Sequence, residues 1–310
     1  MTRPRVTLLG DRGRSVGMGH AMRLRTVAAA VDAKGCDCKL LLCGESGPWD
    51  AILGASSWES GPADISHPTV VDRVLSDDPS VVVVDSYAIP RDSVAQFEAA
   101  GARVVLIDDN GEHGGFPSSI IVNPNAHGAD IAYPSVVNQR IVAGIEWILI
   151  RSDVVALASH RDVHRSGWVV AIGGTDPQGL VAQVRELLPP GEPVVGAPSA
   201  EGPLPPSDLA RALAEARGAV IAAGSTVWEA IFLGTPIVAV VTADNQKLVG
   251  TSLRQEFGIA VVDIRVDGWR ERLAHSIIKL GESDSSAPCR IDGRGAERLS
   301  GLIQEFAQRR

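Results

Sequence analysis

Arg5-Val6-Thr7-Leu8-Leu9-Gly10-Asp11-Arg12-Gly13-Arg14-Ser15-Val16-Gly17-Met18-Gly19-His20 passes from a short apolar run through a glycine-rich turn toward a helix. Residues 5–10 predict a buried strand, and residues 20–34 a helix with apolar residues at helical spacing. A Gly-x-Gly pair lets the backbone turn tightly and lets a ligand come close, because no Cβ intervenes. Gly17-x-Gly19 lacks the third glycine of the dinucleotide fingerprint, so its place between strand and helix says more than its letters. His20 falls at the helix start. A neutral imidazole there can take a proton from water or a hydroxyl, and the positive helix end favours the neutral form. Spacing alone leaves a second reading open, a histidine that caps a loop.

The strand–turn–helix unit recurs outward from this stretch. Residues 39–43, 80–85 and 103–108 are near-continuous Val, Leu and Ile runs, as in parallel strands covered on both faces. Residues 68–75 and 90–100 read as helices between them, and 119–122 and 147–150 as further strands. After a polar stretch at 159–166 the pattern restarts. Strands are expected at 168–172, 193–196, 219–222, 236–241 and 259–264, and helices at 207–216, 225–233, 245–256, 269–280 and 294–308. At 310 residues the chain is about twice a common domain length. Two βαβ series predict two Rossmann-like, doubly wound α/β domains, residues 1–158 and 167–310, with the last helix free to pack back on the first. Ligands of such sheets bind outside the carboxyl ends of the strands. The cleft between two of them suits a substrate with a nucleotide at one end and a sugar at the other.

Composition narrows the partners. The chain is 45% hydrophobic, 21% charged and 4% aromatic, which suits a globular protein, and its net charge is −8. That charge argues against nucleic acid or an anionic membrane, while a phosphate can still be held by glycines and helix N-termini. Cys36, Cys38, Cys43 and Cys289 have no metal-ligand or redox spacing and read as reduced thiols. No apolar run approaches the roughly 20 residues of a membrane span, and residues 2–5 do not open a signal peptide. The expectation is a cytoplasmic protein without membrane insertion; its oligomeric state is not legible.

Other turns carry chemistry-bearing residues. Gly224 precedes Ser225 and Thr226, whose helix-start N–H groups suit a diphosphate, and Glu229 one turn on can accept from two ribose hydroxyls. An N-cap with a first-turn glutamate reads equally well. Gly173-Gly174-Thr175 has the same architecture, as a phosphate turn or simply a tight turn. Asp244, Asn245 and Gln246 follow a buried strand, as sugar ligands or a helix cap. Asp85 with Tyr87, and Asp108 with Asp109, end strands of the first half. No histidine at zinc spacing accompanies the paired aspartates, so capping or orientation of His20 is preferred to a metal. His160 and His164, spaced i, i+4 without a glutamate, read as linker.

Together these sites resemble the UDP-sugar hydrolases of pseudaminic acid biosynthesis, which remove UDP from UDP-2,4-diacetamido-2,4,6-trideoxy-β-L-altropyranose. The chain is more distantly similar to the glycosyltransferase that adds N-acetylglucosamine in peptidoglycan synthesis; both have the GT-B architecture. Asp11, Gly17, Gly19, His20 and Arg23 match the family's opening pattern in register. Val84-Asp85-Ser86-Tyr87, Ile107-Asp108-Asp109, Gly173–Pro177, Gly224–Glu229 and Ala243–Gln246 match its later blocks. The resemblance implies His20 as general base, with Asp11 and Tyr87 in the catalytic group. It implies Gly17, Gly19, Arg23, Asp85, Asp109, Asn245 and Gln246 on the substrate. Gly173, Gly174, Thr175, Gly224, Ser225, Thr226 and Glu229 would hold the nucleotide, with Glu229 on the ribose. No metal or other cofactor is implied. Ala223, Glu146-Trp147 and Asn110-Gly111-Glu112-His113 depart from the family, mostly on the sugar side, so the sugar stays open. The leading reading is hydrolysis of a UDP-linked amino or deoxy sugar. An inverting glycosyltransferase and a non-catalytic nucleotide-sugar sensor are its rivals.

Overall fold

The computed structural model describes residues 3–13, 16–53, 58–158, 165–173, 176, 178–198, 204–282 and 289–308. The chain divides into two compact units: residues 1–47, 53–149 and 294–310 form the first, and 48–52 with 150–293 the second.

In the first unit the elements are β1 (Arg5–Asp11), α1 (Gly19–Asp32), β2 (Asp37–Cys43), β3 (Trp58–Ser60), α2 (Thr69–Leu75), β4 (Val81–Asp85), α3 (Arg91–Ala99), β5 (Arg103–Ile107), β6 (Ile120–Asn123) and β7 (Arg140–Ala143). The strands form one parallel sheet in the order β3-β2-β1-β4-β5-β6-β7. β4 is buried along its whole length, which accounts for its unbroken valines: helices cover both faces. The winding reverses between β1 and β4, so the crevice of the sheet opens at the carboxyl ends of those two strands. Gly10 lies opposite Asp85 in their ladder. A Cβ on Gly10 would stand 2.4 Å from Leu24 Cδ1 and 2.8 Å from the Asp85 carbonyl oxygen, so only glycine lets α1 and β4 meet here.

The second unit holds α4 (Ser152–Ala156), β8 (Trp168–Ala171), α5 (Leu180–Arg185), β9 (Val194–Ala197), α6 (Pro206–Glu215), β10 (Gly218–Ala222), α7 (Ser225–Phe232), β11 (Ile237–Val241), α8 (Lys247–Phe257), β12 (Ala260–Asp263) and α9 (Trp269–Gly281). Its parallel sheet runs β12-β11-β10-β8-β9, with the reversal between β8 and β10. Trp168, Val170, Val220, Val238 and Val240 pack with Leu273 and Ile277 of α9 in its core. The last helix, α10 (Gly295–Gln308), belongs to the first unit and packs on α1, with Gln304 Nε2 donating to the Lys34 carbonyl at 2.8 Å.

Three local readings change. Residues 147–150 are not a strand: Ile145–Trp147 is a 3₁₀ turn, and the buried residues after it run under α10. A Cβ on Gly295 would meet the Ile148 oxygen at 2.2 Å, so a helix rather than a sheet covers this apolar run. β3 and β7, short strands at the two sheet edges, escape the apolar-run signal because only one of the seven residues is buried. The crossing between units falls at Leu149–Ile150, upstream of the polar 159–166 stretch, because α4 packs on α6 within the second unit.

Candidate active site

At the carboxyl edge of the first sheet, side chains from β1, α1, β4, β5 and β6 converge. His20, the second residue of α1, is buried, and its Nδ1 lies 3.0 Å from the Asp85 backbone oxygen. A carbonyl can only accept, so Nδ1 carries the proton and Nε2 of the neutral ring keeps its lone pair. Among the described residues Nε2 has no hydrogen-bond partner. Tyr87 meets the ring edge to face, with centroids 4.7 Å apart. The imidazole is thus fixed in one tautomer and one plane, a histidine able to take a proton at Nε2. Asp85 Oδ1, 3.5 Å from Nδ1, would stabilise the cation formed.

Beneath His20 lies a closed ionic network. Arg23 forks onto Asp85, with Nε to Oδ2 at 2.8 Å and Nη2 to Oδ1 at 2.7 Å, and its Nη1 reaches Asp109 Oδ1 at 2.6 Å. Asp109 also accepts from the Tyr87 hydroxyl at 2.6 Å and from Asn125 Nδ2 at 2.8 Å. Burial alone would raise the Asp109 carboxyl, but the Arg23 guanidinium and the Tyr87 hydroxyl hold it well below the usual carboxylate range. Burial pushes the Asp11 carboxyl up, against the opposing pull of Ser86 and His20. Asp108 takes no part in the network. Its carboxylate accepts the N–H groups of Asn110, Gly111, Glu112 and His113 and so caps that turn.

Arg23, Asp85 and Asp109, expected on the substrate, spend their polar atoms on one another, and the Tyr87 hydroxyl is committed to Asp109. Of these, Asp85 through its backbone carbonyl and Tyr87 through its ring meet His20 directly. Nothing lies within 4 Å of a Cβ added at Gly17 or Gly19, and Gly17 has φ +80°. Asn123, Asn125 and His127 were not singled out in the sequence. Asn123 Nδ2 and His127 Nε2 both donate to the Asp109 backbone oxygen, at 3.0 and 2.8 Å. The polar run Asn123-Pro124-Asn125-Ala126-His127 at the end of an apolar strand was the available signal.

In the second unit the corresponding edge carries the β8 and β10 turns, on either side of the winding reversal. Gly224 caps α7 with φ −121°, and nothing lies within 4 Å of a Cβ added there. The N–H groups of Ser225 and Thr226, in the first turn, have no acceptor within their own helix. Gly173 is exposed with φ +116°, while Gly174 and Thr175 lie outside the described residues, as do His160 and His164. Asp176 caps α5 through the N–H groups of Leu180 and Val181, both at 2.8 Å. Asn245 is exposed. Gln246 turns inward, its Oε1 accepting the Thr242 N–H at 2.8 Å, so it closes the β11–α8 turn. Glu229 is buried and held by Arg151, a pair the sequence did not suggest. Asp244, fully solvated, pairs with Lys247 and Arg265.

Among the described residues no group of three or more His, Cys, Asp or Glu side chains is placed to hold a metal ion, and no helix is long and apolar enough to cross a membrane. Burial pushes the Cys38 and Cys43 thiols up to about 12, which keeps them protonated.

No family model matches the chain. The spore coat polysaccharide biosynthesis protein SpsG of Bacillus subtilis (strain 168) is 21% identical over an alignment of 340 residues that covers 97% of this chain and 98% of the relative. Among solved structures, the chain is similar to UDP-GlcNAc 2-epimerase of Methanocaldococcus jannaschii in complex with UDP-GlcNAc and UDP, with a TM-score of 0.63, 12% identity and coverage of 97% of this chain and 99% of that one. It is similar to Acinetobacter baumannii MurG, with a TM-score of 0.63, 14% identity and coverage of 97% and 100%. The spinosyn forosaminyltransferase SpnP gives a TM-score of 0.62 at 12% identity, covering 99% of this chain and 95% of that one. Two parallel-sheet α/β units in one chain, aligned along nearly all of these structures, make this a GT-B fold.

Proposed function

We propose that the chain is an enzyme acting on a nucleotide-linked sugar, and specifically that it hydrolyses a UDP-linked amino or deoxy sugar to UDP and the free sugar. The observation that carries the proposal is the fixed His20 tautomer at the winding reversal of the first sheet, with Nδ1–H on the Asp85 carbonyl at 3.0 Å. The similarity to SpsG and the fold shared with proteins solved around UDP-sugars support the nucleotide-sugar class.

In this reading Nε2 of His20 takes a proton from water as the water oxygen bonds to the anomeric carbon. The bond from that carbon to the diphosphate oxygen breaks, and its electron pair leaves with UDP. The imidazolium then returns its proton to solvent. Within the second unit, the first-turn N–H groups of Ser225 and Thr226, which Gly224 leaves open to close approach, suit the diphosphate of such a nucleotide. A single displacement inverts the anomeric configuration. The fold shared with transferases such as SpnP and MurG favours a second reading, in which an acceptor hydroxyl takes the place of water.

Incubation with a panel of UDP-sugars in ¹⁸O-water tests both. Hydrolysis by this route puts the label in the sugar C1 hydroxyl and none in UDP; label in UDP would exclude attack at carbon. A conjugate formed only with an added acceptor would establish transfer. His20→Asn should lower turnover by about 10²–10⁴-fold, the usual worth of a general base, with UDP affinity by calorimetry within about twofold. Unchanged turnover would remove His20 from the mechanism.

A further inference from the structure

Glu229 stands at the fifth position of α7, between the buried Trp228 and Ala230. A carboxylate so enclosed is costly unless paired. Arg151 supplies the pair as a fork: Nε donates to Oε1 at 2.7 Å and Nη2 to Oε2 at 3.2 Å. The guanidinium is itself anchored, by Nη2 on the Pro206 carbonyl at 3.1 Å and Nη1 on Asp153 Oδ2 at 3.2 Å. Burial opposes the charge on Arg151, but Glu229 beside it holds its pKa above the ordinary value. Each Glu229 oxygen receives one guanidinium N–H, and a carboxylate offers about four acceptor positions. One lone pair on each oxygen therefore remains, and the side chain keeps 10% of its surface exposed. Two adjacent acceptors held rigidly one turn beyond the Gly224 helix start match two adjacent hydroxyls of a nucleotide's sugar.

The geometry points to Arg151 as a positioning residue that holds the Glu229 carboxylate plane aimed at a cis-diol, so that the site discriminates ribonucleotides from 2′-deoxyribonucleotides. This inference rests on the nucleotide-sugar reading. Arg151 touches no substrate in it. Its planar fork fixes the carboxylate plane, which a lysine ammonium cannot do.

Calorimetric affinities of the full chain for UDP and 2′-deoxy-UDP test it. The wild type should prefer UDP by about tenfold or more, the worth of one well-made hydrogen bond to a charged group. Arg151→Met should bring that ratio to within about twofold, and Arg151→Lys should give an intermediate ratio while keeping the positive charge. The double variant Arg151→Met with Glu229→Gln should recover thermal stability lost in Arg151→Met without recovering the ratio, which separates aiming from charge neutralisation. If Arg151→Met does not fold, the lysine variant carries the test. A folded Arg151→Lys and Arg151→Met with the wild-type ratio would overturn the inference and leave the nucleotide-sugar reading standing. A wild type that binds UDP without preferring it would do the same. A wild type that binds neither nucleotide would overturn that reading, and the inference with it.

Discussion

Asp109 and Asp11 are both buried carboxyls near His20, yet their surroundings push them in opposite directions. Asp109 is held below the usual carboxylate range, despite its burial, by Arg23 and Tyr87, and Asp11 is raised by burial. An unfolded aspartate titrates at about 3.9. For Asp109 the folded value lies below that, so its ionised form stabilises the fold above about pH 3.9, and the contribution is lost as pH falls toward the folded value. For Asp11 the folded value lies above it. Its ionisation opposes folding once pH exceeds the unfolded value of about 3.9, and the cost vanishes below that. Asp109→Asn should therefore destabilise by about 3–5 kcal/mol at neutral pH, since it leaves Arg23 partly unpaired, and by less as the medium becomes acidic. Asp11→Asn should stabilise the fold at pH 7, with the gain shrinking toward pH 4. Urea denaturation of both variants between pH 2 and pH 8 reads the two slopes, that of Asp109→Asn below about pH 4 and that of Asp11→Asn above it. Parallel slopes would mean that neither carboxyl titrates as its environment implies. The residue types here were legible from motif and register. Their partnership was not, because Arg23 lies on α1, Asp85 at the end of β4 and Asp109 just past β5, and spacing carries no information about which cation neutralises which anion.

Two glycines, one per unit, Gly10 within β1 and Gly224 at the start of α7, separate what a glycine does for the fold from what it does for a ligand. Gly10 ends an apolar run and Gly224 begins a helix, and both were visible as strand-to-helix punctuation. Their surroundings differ. A Cβ at Gly10 collides with Leu24 and with the Asp85 carbonyl that holds His20, whereas a Cβ at Gly224 meets nothing within 4 Å. Gly10→Ala should cost about 1–3 kcal/mol of stability through overpacking, and turnover should fall with it because β4 must shift. Gly224→Ala should cost at most about 1 kcal/mol, the difference between glycine and alanine as an N-cap. Yet it should weaken UDP binding about tenfold by holding the diphosphate off the first-turn amides. Thermal melts paired with calorimetry separate the cases; equal losses of stability in both variants would refute the distinction. The elements that were missed fail for a related reason. An apolar run reports burial and not the element that covers it, so 147–150, buried beneath α10, reads like a sheet strand. Edge strands such as β7 have too little burial to show at all.

At the scale of the whole chain, the first unit is closed by its most distant segment. α10 returns from the second unit to pack on α1, β4 and β5, and Leu299 and Ile303 are fully buried in doing so. Gly295 admits it beside the Ile148 carbonyl, and Arg298 Nη1 donates to the Glu146 carbonyl at 2.9 Å. Burying Leu299 and Ile303 alone contributes about 2 kcal/mol each, a large share of a domain's net stability of about 5–15 kcal/mol. A chain ending at Gly293 leaves the buried α1 side chains Leu24, Val27 and Val31 short of packing partners. The turns at Gly173 and Gly224 proposed to hold the nucleotide, by contrast, lie wholly in the second unit. Hydrogen exchange on this shortened chain should therefore show lost protection in α1, β4 and β5 and retained protection in β8, β10 and β11. UDP affinity should stay within about threefold of the full chain, while sugar release falls to background. Uniform loss of protection would show instead that the two units fold as one cooperative body. The long return of α10 would then stabilise the second unit as much as the first, and the assignment of binding and proton transfer to separable units would have to be given up.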